Sequence, residues 1–255
     1  MSLDHELSKM ISDLAREFHT QALTEMPLFL EARKITALYH FTPLQNVGSI
    51  FNHGILGLDD LRARGINYKA SDENRGDPIA NGICISLTKP NDYMLSSKLS
   101  QGYEMALLEL KPAREILQRF SFIASPGNFG RWDHKKRVLN WPEKYCGGRG
   151  LVNLFLNEHL RNKYKLASSQ PTDPQSELIF LDSIPAQFIA RVILPAKRDY
   201  ADNEAVRKLV RELPKGTLIE SQNSSEFPEI KWSDHKRVEE FEERKWRIEW
   251  EADLT

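Results

Sequence analysis

The chain has 255 residues, enough for one large domain or two small ones, and its 40% hydrophobic and 28% charged composition is that of a globular protein rather than a disordered one. A net charge of −1 gives the whole molecule no electrostatic pull toward nucleic acid, so any such contact must come from a local patch. Two cysteines, Cys84 and Cys146, are too few for a disulfide framework and form no metal-type pair. The N-terminal "MSLDHELSKM" lacks the basic and apolar regions of a signal peptide, and no apolar run approaches the roughly 20 residues of a membrane span. The expectation is a cytoplasmic, reduced protein without a membrane partner.

In chain order, Leu3, Leu7, Met10, Ile11, Leu14 and Phe18 recur at helical spacing, predicting an N-terminal helix over 3–30 that breaks near Pro27. "ALYHFT" (37–42) reads as a short strand, and Pro43 opens a helix carrying Leu44, Val47, Ile50 and Phe51 on one face, with Gly54 as its C-cap. Residues 57–81 are polar and aperiodic, a long loop with at most a turn of helix, and such loops in compact domains are usually functional or disordered. "GICISLT" (82–88) and "MALLEL" (105–110) read as strands joined through "KPNDYMLSSK", and "FSFIASPGN" (120–128) is a further extended piece. "LVNLFLNEHLRNKY" (151–164) reads as one helix, followed by a proline-bracketed loop and the strands "ELIFL" and "ARVIL". Beyond Pro195 the chain turns helical at 202–213 and ends in a charged segment, a helical extension over 200–255. This order predicts an α+β domain rather than alternating βαβ units.

GxGxxG, P-loop, HExxH and GxSxG patterns are absent, which removes the main support for hydride transfer by a Rossmann fold, P-loop chemistry and zinc proteolysis. His53, His134 and His159 show no ligand spacing, so no metal centre is expected. His40 lies among apolar residues of its strand, with Thr42 on the same face. The pair reads either as a core histidine bonded to backbone or as donors to a ribose or an amide. Glu177 opens its strand and shares a face with Ile179 and Leu181. It is either solvated at the sheet edge or directed into a cleft, and spacing alone does not choose.

The segment 129–150 is different in composition. Arg131, Lys135, Lys136, Arg137, Lys144 and Arg149 oppose Asp133 and Glu143 for a local charge of +4, with Phe129, Trp132, Trp141 and Tyr145 interleaved. A solvated loop is the usual fate of charge runs, but cations beside stacking platforms are also what a single-stranded nucleic acid needs.

Taken together, "LYHFTPLQNVGSIFNHGIL", "DENRGDPIANGICISLTKPNDYML", "ALLELKPAREIL", "FIASPGN" and "PTDPQSELIFLDSIPAQFIARVIL" resemble, in order, the DarT family. These are bacterial toxins that use NAD to ADP-ribosylate a base in single-stranded DNA, usually paired with a macrodomain antitoxin. The resemblance covers about residues 36–195. It implies a single domain with the ADP-ribosyltransferase fold, a split mixed β-sheet around a central NAD cleft with flanking helices. By that resemblance Glu177 and Arg75 match catalytic positions, and Arg75 also matches an arginine facing the NAD diphosphate. His40, Thr42, Asn46 and Gln175 match NAD-binding positions, and Arg131, Trp132, Lys135, Lys136 and Arg137 fall in the DNA-facing region. "ISLTKPNDYML" departs from the family pattern at Lys89 and Tyr93. The implied substrate is NAD, with no metal, and the acceptor is thymine or guanine. RNA or protein acceptors, and a non-catalytic nucleotide-binding module, are the alternatives.

Overall fold

The computed structural model describes residues 9, 13, 15–17, 26–70, 79, 81–88, 92–130, 142–195, 206, 208, 209, 211, 213–215 and 217–222. Among the described residues seven strands form one sheet: β1 (Leu38–Pro43), β2 (Ile83–Leu87), β3 (Met105–Leu110), β4 (Phe122–Ser125), β5 (Glu177–Phe180), β6 (Ile189–Pro195) and β7 (Leu218–Gln222). Their spatial order is β4-β5-β2-β1-β3-β6-β7. Neighbours are antiparallel except β6 and β7, which run parallel, so the sheet is mixed and the domain α+β, as expected.

The period of two assigns each strand's side chains to two separate cores. Leu38, Ile85, Leu87, Leu108, Leu110, Leu178 and Phe180 sit on one face and join the larger core. Leu30 of the helix Met26–Ala32, Ile116 and Leu117 of Ala113–Arg119, and Leu151 of Gly147–Asn153 belong to the same cluster. On the other face Ile123 and Ile179, cross-strand partners, belong to a smaller cluster with Phe129, Cys146 and Leu181. The site depends on this division.

Strand β1 keeps register with β3 from Leu38 to Pro43, but with β2 only at Leu38–Leu87 and Tyr39–Ser86. Past Tyr39 the two strands part, and the sheet is split there. Leu44–Asn46 forms a short 3₁₀ turn leading into the helix Val47–His53, which stops at Gly54 with φ 82. A Cβ at Gly54 would lie 2.7 Å from the Ile184 carbonyl oxygen, so only glycine allows the approach that lets Ile55 bridge Ile184.

Several expectations are corrected by the structure. Near Pro27, where a break is expected, a helix begins, Met26–Ala32, with the proline in its first turn, where no intrahelical N–H donor is required. Of the helix expected over 3–30, positions 9, 13 and 15–17 are helical, and most of the rest lies outside the described residues. The single helix expected over 151–164 is two, Gly147–Asn153 and Glu158–Lys163. Asn157 lies between them with φ 71, and its side chain accepts from the Leu160 amide at 3.1 Å, a cap that starts the second helix. "KPNDYMLSSK" contains a helix, Asp92–Ser100. The segment after Pro195 is helical at positions 206, 208, 209 and 211 but then supplies strand β7, while 223–255 lies outside the described residues. No helix among the described residues is long and apolar enough to cross a membrane.

Candidate active site

A cavity of about 540 Å³ opens where β1 leaves β2, a size within the range that small-molecule sites occupy. His40, Thr42 and Asn46 line it from β1 and the turn that follows, and Cys84, Ser86 and Glu177 from β2 and β5. By strand register His40 and Thr42 belong to the face of the larger core, their β3 partners being Leu108 and Ala106, whereas Glu177 belongs to the opposite face. Both sets reach one cavity because the split cuts through the sheet.

Glu177 opens β5 between Ser86 of β2 and Ser125 of β4 and is half-buried. Its Oε1 accepts the backbone N–H of Phe129 at 2.5 Å. Phe129 has no exposed surface and packs in the smaller core, so the amide that holds the carboxylate is itself held by burial. Cys146 in the same core is 1% exposed, and burial, with the Glu143 charge adding to it, pushes its thiol up to about 12. It is a core residue rather than a nucleophile.

The loop entering β5 is fastened by a buried cation. Arg161, 4% exposed, donates through Nη1 to the Gln170 carbonyl at 2.7 Å and through Nη2 to the Ala167 carbonyl at 2.8 Å, with Thr172 Oγ1 at 3.4 Å. The Phe155 ring lies 5.3 Å from its guanidinium carbon. Burial and then the neighbouring Arg33 charge lower the Arg161 pKa, and the two carbonyls satisfy the guanidinium without a carboxylate. Thr172 continues the tie, its hydroxyl donating to the Leu156 carbonyl at 2.6 Å and its amide to the Leu154 carbonyl at 2.8 Å. Gln175 is buried, its backbone N–H donates to Asp173 Oδ1, and it does not line the cavity.

Across the split, His40 Nδ1 lies 3.0 Å from the Cys84 carbonyl oxygen. A carbonyl only accepts, so Nδ1 carries the proton of this contact. The two readings of His40 therefore coincide: one nitrogen is bonded to backbone in a residue that lines a cavity. Asn46 donates to Thr42 Oγ1 at 3.2 Å and grips Lys69 twice, donating to its carbonyl at 2.9 Å and accepting from its amide at 2.8 Å. Asn46 is thus the clamp that fixes segment 66–70 to the start of the helix Val47–His53.

Reasoning from sequence missed Tyr68, Lys69, Met94, Lys98 and Asn128, which also line the cavity. Tyr68, Lys69 and Lys98 lie in stretches read as loop or connection, and Met94 and Asn128 lie in blocks of the resemblance that assign them no role. Asn128 links two of these blocks, donating to Met94 Sδ at 3.6 Å and accepting from the Gly130 amide at 2.9 Å. Arg75, Arg131, Trp132, Lys135, Lys136 and Arg137 lie outside the described residues.

No protein-family model and no curated protein matches the chain. Among solved structures it is similar to Thermosipho africanus DarTG in complex with ADP-ribose, at 16% identity and a TM-score of 0.48, over 75% of this chain and 51% of that one. It is also similar to Thermus sp. 2.9 DarT in complex with NAD+, at 12% identity and a TM-score of 0.45, over 74% of this chain and 96% of that one. A third, Thermus sp. 2.9 DarT in complex with ADP-ribosylated ssDNA, shares 14% identity and a TM-score of 0.43 over 74% of this chain and 95% of that one. The chain thus spans about half of the Thermosipho chain and nearly all of the two Thermus chains.

Proposed function

We propose that the protein is an NAD-dependent ADP-ribosyltransferase that modifies a base of single-stranded DNA, acting as a cytoplasmic toxin whose partner is a macrodomain antitoxin. The observation that carries the reading is the convergence of His40, Thr42 and Glu177 from different strands, and from opposite faces of the sheet, on one cavity. The motifs "LYHFT" and "QSELIF" were separated by more than a hundred residues and had no geometric relation in the sequence.

The residues present fit the task. The cavity has apolar walls at Ile50, Ile83 and Ile85 beside a few polar groups that fix orientation. NAD supplies a glycosidic bond whose cleavage develops positive charge at the nicotinamide ribose. The Glu177 carboxylate, aimed by the Phe129 amide, supplies fixed negative charge to such a centre, and preorganised charge of this kind needs no rearrangement as the reaction proceeds. A carboxylate within hydrogen-bond reach of an attacking ring nitrogen also takes up its proton. His40 and Thr42 supply hydrogen-bonding groups on the other wall.

The deciding experiment is mass spectrometry of single-stranded DNA, RNA and a protein mixture, each incubated with the chain and NAD. An added mass of ADP-ribose on DNA alone supports the reading. Modification confined to RNA or protein changes the acceptor, and NAD binding with neither modification nor nicotinamide release leaves a binding module.

A further inference from the structure

The turn that leaves β4 brings a second polar group to the carboxylate. Ser125 Oγ donates to the Gly127 carbonyl at 2.7 Å, and two residues further on the Phe129 N–H holds Glu177. Between them stands Asn128, half-buried and lining the cavity. A side-chain amide has an acceptor end and a donor end, and here its direction is fixed. The Gly130 N–H donates to Oδ1 at 2.9 Å, a bond that the Nδ2 end, itself a donor, could not accept. Nδ2 therefore points the other way, to Met94 Sδ at 3.6 Å, and Met94 is itself a cavity residue. A thioether is a weak acceptor, and Nδ2 carries two hydrogens. On adjoining supports the cavity thus holds a carboxylate that only accepts and an amide end that only donates.

We propose that Asn128 sets base specificity, its Nδ2 and the Glu177 carboxylate together reading the lactam edge of the acceptor base, a ring N–H with a carbonyl beside it. The inference rests on the base-modification reading above and deepens it by stating which chemical edge the site accepts. Thymine, uracil and guanine each present a ring N–H next to a carbonyl, whereas cytosine and adenine present a bare ring nitrogen next to an amino group. On the lactam bases Glu177 accepts from the N–H and Asn128 donates to the carbonyl. On the other two a lone pair meets the carboxylate and an amino hydrogen meets Nδ2–H. A site built for one polar pattern rejects its reverse, because its own groups are left unpaired. The contact with the ring N–H also serves the transfer. As the ring nitrogen bonds to the ribose carbon, the bond from that carbon to nicotinamide breaks, nicotinamide leaves with the electron pair, and the ring proton passes to Glu177. Asn128 stands three residues before Arg131, the first cation of the basic, aromatic stretch, which favours the acceptor over nicotinamide as its partner.

The test is mass spectrometry of single-stranded oligonucleotides that each carry one kind of base, thymine, guanine, cytosine or adenine, incubated with NAD and the full chain or its N128D and N128A variants. Wild type modifies the thymine or the guanine oligonucleotide, or both, and neither of the others. N128D keeps the oxygen that accepts from Gly130 and turns the donor end into a second acceptor, so modification falls by about a hundredfold or more. N128A only removes the donor, and modification falls by about tenfold. NAD affinity, measured by calorimetry, is unchanged in both. The base reading is overturned by comparable modification of the cytosine or adenine oligonucleotide, by wild-type activity in N128D, or by a matching fall in NAD affinity, which places Asn128 with the dinucleotide. Thermal melts of wild type and variants guard against unfolding, and N128A decides if N128D does not fold. Modification of any oligonucleotide keeps the proposed function whatever becomes of Asn128, and modification of none, with NAD bound, sinks both.

Discussion

The backbone amide of Phe129 donates to Oε1 of Glu177 across 48 residues of sequence. Phe129 is also the first residue of the basic, aromatic stretch expected to face an acceptor, and it is anchored by complete burial. The carboxylate and the start of that stretch are therefore one mechanical unit, so displacement of either moves the other.

Glu177→Gln keeps an oxygen able to accept from the Phe129 amide but removes the charge. Transfer of label from NAD to oligonucleotides falls by about a hundredfold or more, as for loss of a preorganised electrostatic group. Stability changes by less than about 1 kcal/mol, because the residue is half-buried at a strand end. Scintillation counting of oligonucleotides checks the first expectation and urea unfolding the second; undiminished labelling removes Glu177 from the chemistry.

Arg161→Met leaves the Gln170 and Ala167 carbonyls without their donor and loosens the loop entering β5. Loss of a buried charged hydrogen-bond donor costs about 2–3 kcal/mol. At a temperature where both proteins are fully folded, kcat falls while affinity for NAD changes little, because the loop carries Glu177 rather than the Lys69 side of the cavity. Arg161→Lys recovers only a fraction, since an ammonium cannot reproduce the planar fork that serves both carbonyls.

Glu109 answers to pH. It is 3% exposed and accepts from Arg191 Nε at 2.7 Å, Lys111 Nζ at 2.9 Å and the Tyr39 hydroxyl at 3.3 Å. Burial alone raises its pKa, but the bonds to Lys111 and Arg191 outweigh it, and the net direction is downward from the ordinary value of 4.5. A carboxylate lowered on folding stabilises the native state above its unfolded pKa, and the contribution fades as pH falls through the folded value. Glu109→Ala therefore costs about 2 kcal/mol at neutral pH, mostly for the charged hydrogen bond lost to Arg191, because the Lys111 side chain is half-exposed. The gap between wild type and variant narrows below pH 4.5 in urea titrations.

The opposite limb belongs to Tyr39. Burial, then the Glu109 charge and its hydrogen bond, raise the phenol from 10.0 to about 12. Between these values the unfolded chain releases the proton and the folded chain retains it, so stability falls as pH rises from 10.0 toward about 12. Tyr39→Phe removes this alkaline slope, and at neutral pH it costs about 1 kcal/mol for the lost hydrogen bond. Spectroscopic titration of the phenols and unfolding across that range measure both.

Much of the fold was legible in the chain because its strands are short, apolar and bounded by turn residues: β1, β2, β3, β5 and β6 all fall where composition and alternation predict them. The failures have local physical causes. The apolar spacing from Leu151 to Tyr164 suits a continuous helix, yet Asn157 in a left-handed conformation caps a new one. Strand β7 carries a weak pattern and becomes a strand by pairing with β6.

Sequence alone determined most of the strands, β7 excepted, and which residues are chemically unusual on them, because alternation and composition are local properties. His40 and Glu177 stood out on that basis, without any indication that they meet. Tertiary structure decided that they do. Strand β1 abandons β2 after Tyr39, and His40 then reaches the Cys84 carbonyl 44 residues away. Glu177 arrives from the other face on β5, carried by a loop that Arg161 fastens. Long-range pairing chooses strand partners by the sum of many buried contacts, so the opening between β1 and β2 belongs to the sheet as a whole and to no single segment of the chain.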